Sequence, residues 1–481
     1  MLIVNGIVVT PATQSKADIL ILDGKIAGIW SYSDSAWSGT PAMNELYHRM
    51  LQAYRCQKPD AVVDKEALVD ATGCYVFAGG IDPHVHLHLS TPNGYSSDDF
   101  FSGSRAALLG GTTTMIDFVT PANNQLLTDA FERRKAEATD SMIDYSFHVS
   151  PVVWRDSLPD EITECVAQGI TSFKVYLAYK DSIGIDDMVL EKVMHAVSGA
   201  RGMLTVHAEL GDDIELLRDR LFAEGRTGPD AHPLSRPPEM ESGAVQKVIE
   251  LAQKSNCPVY FVHVSTKMAV DHIRKAQKCG QEVHAEVCPH HLLFDDKRYT
   301  GDFRSAAPYV LSPPLRKKYD QEALWEALAD GTIQVVGTDH CPFLMHQKML
   351  GQNDFRKIAN GAGGIEHRLE LLYTYGVLQN RISLQRFVDV VSAQPAKLFG
   401  LYPFKGTLDP GSDADLVIWN PEHEKTISSK IHHQHCDHNI YEGMGVKGRA
   451  EYVIARGEVV VANGALAGKP AGQFLFRKMG E

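Results

Sequence analysis

Paired cysteines are missing from this chain. Its eight Cys are scattered at positions 56, 74, 165, 257, 279, 288, 341 and 436, and none forms a Cys-x-x-Cys pair. That scatter excludes a disulfide framework and fits reduced thiols in a cytoplasmic protein. Long apolar runs are missing too. No stretch reaches the roughly 18 residues that a membrane span needs. The N-terminus reads Met1-Leu2-Ile3-Val4-Asn5-Gly6-Ile7-Val8-Val9 and turns at once, without a basic leader or cleavage site. Basic charge is in short supply, with 47 Lys and Arg against 60 Asp and Glu and a formal net charge of −13. A surface for nucleic acid or for anionic lipid needs clustered Lys and Arg, so neither partner is expected. What is plentiful is core-forming material. Hydrophobic residues make up 44% of 481 positions, enough for a large catalytic domain with a smaller companion.

Residues 1–30 read as short strands broken by turns. Leu2-Ile3-Val4 leads to a turn at Asn5-Gly6, and Ile19–Leu22 leads to Asp23-Gly24 and a return strand Lys25–Ile29. Asn-Gly and Asp-Gly between apolar runs are strong hairpin signals. Residues 31–66 are Ser-rich and then helix-like from Glu45 to Tyr54, which marks an insertion. From residue 72 short apolar runs alternate with longer helical segments. The runs are Tyr75–Ile81, Thr113–Val119, Tyr145–Val153, Ser172–Ala178, Met203–Val206, Val259–Val264, Glu282–Val287 and Ile333–Gly337. Runs rich in Val and Ile and bounded by turn residues suit strands buried on both faces of a parallel sheet. Eight strand–helix units predict a (β/α)8 TIM barrel over residues 73–400. An open doubly wound sheet is the alternative, but it would carry a Gly-rich fingerprint where this chain has Asp82-Pro83-His84-Val85-His86. After residue 400 the strand-and-turn style returns, with Asp415–Trp419 and with Tyr452–Ala455 and Glu458–Val461 around Arg456-Gly457. Residues 1–72 and 401–481 are expected to pack as one small β-sandwich domain, with the barrel inserted between them.

Metal-binding residue types fall at the strand ends. His84 and His86 end the first run, His207 the fifth and His263 the sixth, while Asp339 and His340 end the eighth. Lys174 lies inside the fourth. The C-terminal ends of barrel strands form the active-site mouth. Residues spread along most of the barrel therefore converge. Singly, each has a plainer explanation: a satisfied interior His, or an Asp that caps a turn. His84 and His86, two apart on a strand, face the same way. Lys174 is the odd member, because Lys is almost never fully buried without a partner. Four His and one Asp suit zinc or a similar ion and are too many for one open tetrahedral site. A second ion would need a bridging anion. Carboxylation of the Lys174 amine by CO2 would give one and would remove the buried-cation problem.

At these residues the sequence resembles the amidohydrolase superfamily, and within it the dihydropyrimidinase/D-hydantoinase group. The supporting stretches are Gly79–His86, Asp98–Ala107, Gly110–Thr114, Phe173-Lys174-Val175-Tyr176, Ser312-Pro313-Pro314-Leu315-Arg316 and Thr338–Phe343. The resemblance implies two divalent ions, expected to be zinc. His84, His86 and Asp339 would bind one, His207 and His263 the other, with carboxylated Lys174 between them. It implies a small cyclic ureide as substrate and an N-carbamoyl amino acid as product. Tyr179 would serve the oxyanion, Asp339 would carry the proton to the leaving nitrogen, and Ser312 and Asn360 would hold the cyclic amide. It also implies a homotetramer. Two features depart from the group. His88 stands where an acidic residue is usual, and Cys288-Pro289-His290-His291-Leu292 is partly like allantoinase or dihydroorotase. Those are the alternative activities, although dihydroorotases usually carry Arg at the place of His88. A non-catalytic scaffold relative is the remaining alternative, disfavoured because all six ligands are present. The tract His432, His433, His435, Cys436 and His438 is read as structural or interfacial.

Overall fold

Two-residue turns set the strands at both ends of the chain. At Asp23-Gly24 successive φ values are 49° and 73°, and at Arg456-Gly457 they are 49° and 81°. Two positive φ values in a row are what a tight hairpin needs. These turns join Gln14–Leu22 to Lys25–Ser31 and Gly445–Ala455 to Glu458–Ala462. Asn5-Gly6 behaves differently from the sequence expectation. The first strand runs unbroken over Leu2–Val9, and its register against the second slips between Ile3 and Gly6. A Cβ on Gly6 would lie 2.6 Å from Val76 Cγ2, so the pair makes a bulge beneath a crossing side chain, not a turn. The computed structural model describes residues 1–33, 35–55, 68–122, 124–468 and 471–479.

Strands from both ends form one ten-stranded sheet. Its hinge is Tyr75–Ala78, which pairs in parallel with Leu2–Val9 on one side and antiparallel with Leu416–Trp419 on the other. One apolar cluster joins Ile3, Ile19, Ile21, Val76, Leu416, Ile418 and Ile454, so the two ends share a core. Within the insertion, the helix Pro41–Arg55 buries Tyr47 and Leu51 against Leu2, Val4 and Leu20. The Tyr47 hydroxyl donates to Asp18 Oδ2 at 3.0 Å. Residues 56–66 of the insertion lie outside the described residues.

The second sheet has eight parallel strands in sequential order: Gly80–Val85, Thr112–Val119, Asp144–Val149, Ser172–Tyr176, Met203–His207, Val259–Phe261, Val283–Val287 and Val335–Val336. A bridge between Val85 and His340 brings last to first, with His86 N donating to His340 O at 2.8 Å. This is a (β/α)8 barrel. The first expected run, Tyr75–Ile81, is two strands of two different sheets. The chain steps from one to the other at Gly79, where a Cβ would sit 2.1 Å from Thr113 Oγ1. Only glycine lets the strand pass there. No helix among the described residues is long and apolar enough to cross a membrane.

Candidate active site

The barrel delivers its ligand-type side chains from different strands to one place. His84 lies within the first strand and His86 follows it, Lys174 is central in the fourth, and His207 ends the fifth. His263 and Asp339 stand just beyond the sixth and eighth strands, with φ of 40° and 50°, and Tyr179 follows the fourth with φ of 61°. Left-handed backbone at a residue other than glycine costs on the order of 1–3 kcal/mol. With His88, whose φ is 47°, four such residues lie around one mouth.

His84 Nε2 and His86 Nε2 lie 3.1 and 3.2 Å from Asp339 Oδ1, and 3.2 Å from each other. His207 Nδ1 lies 3.0 Å from His263 Nε2. Atoms of His84, His263 and Asp339 are all within 4.8 Å of one another. Two groups of inward-turned donors thus face each other. Lys174 Nζ is buried with them and has no hydrogen-bond partner among the described residues. Its ammonium sits 4.8 Å from the Phe118 ring centre and 5.0 Å from that of Tyr176.

Carboxylates behind the ligands fix their rings. Glu286 accepts from His84 Nδ1, from His263 N at 3.1 Å and from the Tyr260 hydroxyl at 2.8 Å. Glu209 accepts from His207 Nε2 at 2.7 Å and from Arg236 Nη1 at 2.5 Å. The bonds to His84 Nδ1 and His207 Nε2 commit one nitrogen of each of these two rings outward and leave the other facing the centre, the usual arrangement behind a metal-binding His. The sequence reading passed over Glu286, Glu209 and Arg236. Glu286 had a signal, being an acid inside an apolar strand, just as Lys174 is a base inside one.

The electrostatics follow from burial and these neighbours. Burial alone would raise the Asp339 carboxyl, but the imidazoles of His84, His86 and His263 hold it well below the usual range. Burial would lower His84, yet Glu286 and Asp339 draw it up to about 9. Burial instead lowers His86, His207 and His263, which keeps those imidazoles neutral and their lone pairs free for a cation. Burial brings the Lys174 amine down to about 8.

Tyr179, Ser312 and Asn360 form a second line of the site. Tyr179 lies beside Ser312, whose hydroxyl donates to Asn360 Oδ1 at 3.0 Å. The Arg236 guanidinium lies 5.4 Å from the Tyr179 ring centre. All nine residues singled out from the sequence, His84, His86, Lys174, Tyr179, His207, His263, Ser312, Asp339 and Asn360, line one cavity of about 840 Å³. His88 lines it too, stacked on Tyr95 with ring centres 4.1 Å apart. The histidine tract lies to one side and is tied to the barrel. His433 bonds Glu366 at 2.9 Å, and His435 N donates to Asp98, the carboxylate that also takes His340 Nε2 at 3.0 Å. In Cys288–Leu292, His291 Nε2 donates to Pro313 O at 3.0 Å, beside Ser312.

Comparisons with known proteins point to one family. Residues 75–460 match the model of the amidohydrolase family. A D-hydantoinase of Geobacillus stearothermophilus is 41% identical over 480 residues, covering 99% of this chain and 96% of that protein. A dihydropyrimidinase of Arabidopsis thaliana is 43% identical over 419 residues, 86% of this chain and 78% of that one. The crystal structure of a dihydropyrimidinase from Brevibacillus agri superposes with a TM-score of 0.90 at 39% identity, covering 99% and 98% of the two chains. With a family model spanning most of the sequence and full-length relatives at this identity, the chain belongs to the amidohydrolase family.

Proposed function

We propose that the chain hydrolyses the ring of a cyclic ureide, a dihydropyrimidine or a hydantoin, to an N-carbamoyl amino acid. The observation that carries this reading is the fully buried Lys174 amine, unpartnered among the described residues, set among inward-facing donors of four His and one Asp. A bare lysine has no physical reason to be there. A carbamate formed on it by CO2 is an anion with two oxygens, and it completes the donor set for two divalent ions. His84, His86 and Asp339 would hold one, His207 and His263 the other, and carboxylated Lys174 both. Imidazole and carboxylate donors of this kind suit zinc. Such ions supply a water whose pKa is lowered to about 7, and they polarise a carbonyl.

The side chains then divide the work. Ser312 and Asn360 hold the cyclic amide through their backbone groups. The Tyr179 hydroxyl, held neutral by burial, donates to the carbonyl oxygen as negative charge develops on it. Asp339, kept ionised by its histidines, takes the proton of the attacking water and passes it to the leaving ring nitrogen. One carboxylate serves both steps because they follow each other. We also take the working unit to be a cytoplasmic homotetramer, which a sizing measurement tests.

The experiment is a side-by-side assay of zinc-loaded protein on dihydrouracil, hydantoin, a 5-substituted hydantoin, allantoin and dihydroorotate. Fastest opening of dihydrouracil or a hydantoin is expected. Preference for allantoin or dihydroorotate would move the chain to another branch of the family, and His88 and His290 would be the first residues to exchange. No reaction by a protein that binds two ions would sink the reading.

A further inference from the structure

Lys348 is another fully buried lysine at this mouth, carried on Met345–Met349. The buried Lys405 has Asp144, Asp413 and Asp415 as partners. Lys348 has no carboxylate partner among the described residues. Its titratable neighbours are the thiols of Cys341 and Cys436 and the imidazole of His438. Burial pulls its amine down to about 7, a loss of charge that N–H bonds to surrounding carbonyl oxygens oppose.

What Lys348 has instead is three carbonyl oxygens. Its Nζ donates to Val310 O at 3.0 Å, Ala359 O at 2.8 Å and Gly361 O at 2.7 Å. The last two bracket Asn360, and the first lies two residues before Ser312. Gly361 N adds a bond to Val310 O at 3.0 Å, and the Ser312 hydroxyl reaches Asn360 at 3.0 Å. Gly361 has φ of 139°, and a Cβ there would lie 2.4 Å from Cys341 O. The Asn360 segment is therefore wedged against the eighth strand's loop on one side and pinned by an ammonium on the other.

A buried cation without an anionic partner is costly. A methionine of similar length would fill the same space without that cost. What only the ammonium supplies is three donors from one point, joining two separate loops. We propose that Lys348 is a positioning residue for substrate binding, which locks the Ser312 and Asn360 segments so that their backbone groups meet the ring amide together. The inference rests on the reading of Ser312 and Asn360 given above. It acts on binding in ground state and transition state alike, so its loss raises KM and leaves kcat nearly untouched.

The test compares Lys348→Met, with no donors, and Lys348→Gln, with two, against the parent protein on dihydrouracil. Zinc content and thermal melting are recorded for each. The expected result is full zinc content and a cooperative melt in both variants, kcat close to the parent value, and KM raised about 10-fold or more by Met and less by Gln. KM unchanged in Lys348→Met overturns the assignment, and so does a fall in kcat with KM unmoved. Loss of the melting transition in both variants makes Lys348 a folding residue and overturns it equally. A parent protein that opens no ring takes down the functional reading itself, a different result from an active parent whose variants show no KM effect.

Discussion

Glu286 stands behind both halves of the proposed metal centre, so its replacement separates orientation from charge. One carboxylate oxygen accepts from the His84 ring and from the backbone N–H of His263, and the other accepts from Tyr260. Glu286→Gln keeps the shape. Its amide oxygen still accepts from His84 and His263, and its NH2 turns the Tyr260 hydroxyl into an acceptor. Only the negative charge goes. Glu286→Leu removes the charge and all three bonds. Losing a partner of this kind typically costs about 10- to 100-fold in metal affinity, or about 1.4 to 2.7 kcal/mol. Gln belongs at the lower end of that range. Leu belongs at the upper end or beyond it, because ligands on both sides of the centre lose their support. The assay is competition for zinc between chelator-stripped protein and a chromophoric chelator at one neutral pH, with melting curves of the metal-free forms as the folding control. A folded Leu variant that binds two zinc ions as tightly as the parent would refute the reasoning, since the rings would then be oriented by packing alone.

Three further outcomes are expected. Lys174→Ala should lose most bound metal and turnover, and parent protein rebuilt from its metal-free form should recover more activity with bicarbonate than in CO2-free buffer; equal recovery would remove the carbamate. Tyr179→Phe should retain its metal and lose about 100- to 1,000-fold in kcat, whereas a near-parental rate would assign the oxyanion to another donor. Glu366 would be raised by burial, but its bonds to His433 hold it at about 2 against an ordinary 4.5. Its stabilising effect is thus complete above about 4.5 and lost as pH falls toward 2. Denaturant titrations of metal-free Glu366→Gln should show a weaker pH dependence in that window than the parent, and parallel curves would contradict it.

The barrel was legible because its strands are buried on both faces and so read as plain apolar runs between turns. The join to the terminal sheet was not. Tyr75–Ile81 is apolar throughout, and hydropathy cannot show that Ala78 and Gly80 belong to different sheets. The doublet Gly79-Gly80 was the available sign, and its meaning depends on Thr113, which no local reading brings near. Asn5-Gly6 failed for a similar reason, since a bulge and a hairpin ask for the same residues and only Val76 decides between them. In the site, His84, His86, His207, His263, Asp339 and Lys174 could be picked out because each is a polar type at a strand position. Glu209 and Arg236 meet across 27 residues, and Lys348 acts through backbone carbonyls that carry no side-chain signature.

The two-ended sheet also has a consequence in time. Tyr75–Ala78 finds its second neighbour in Leu416–Trp419, roughly 340 residues downstream, which at about 5–20 residues per second leaves the ribosome roughly 20 to 70 seconds later. Through that interval the first three strands can pair with one another, but the far edge of Tyr75–Ala78 stays open. An open strand edge is a template for any other strand. In a polysome, many nascent copies present that same edge at once, so the half-built sheet is where this chain is most exposed to pairing with its neighbours. Slower translation of the barrel would lengthen that exposure without changing a single contact of the finished protein.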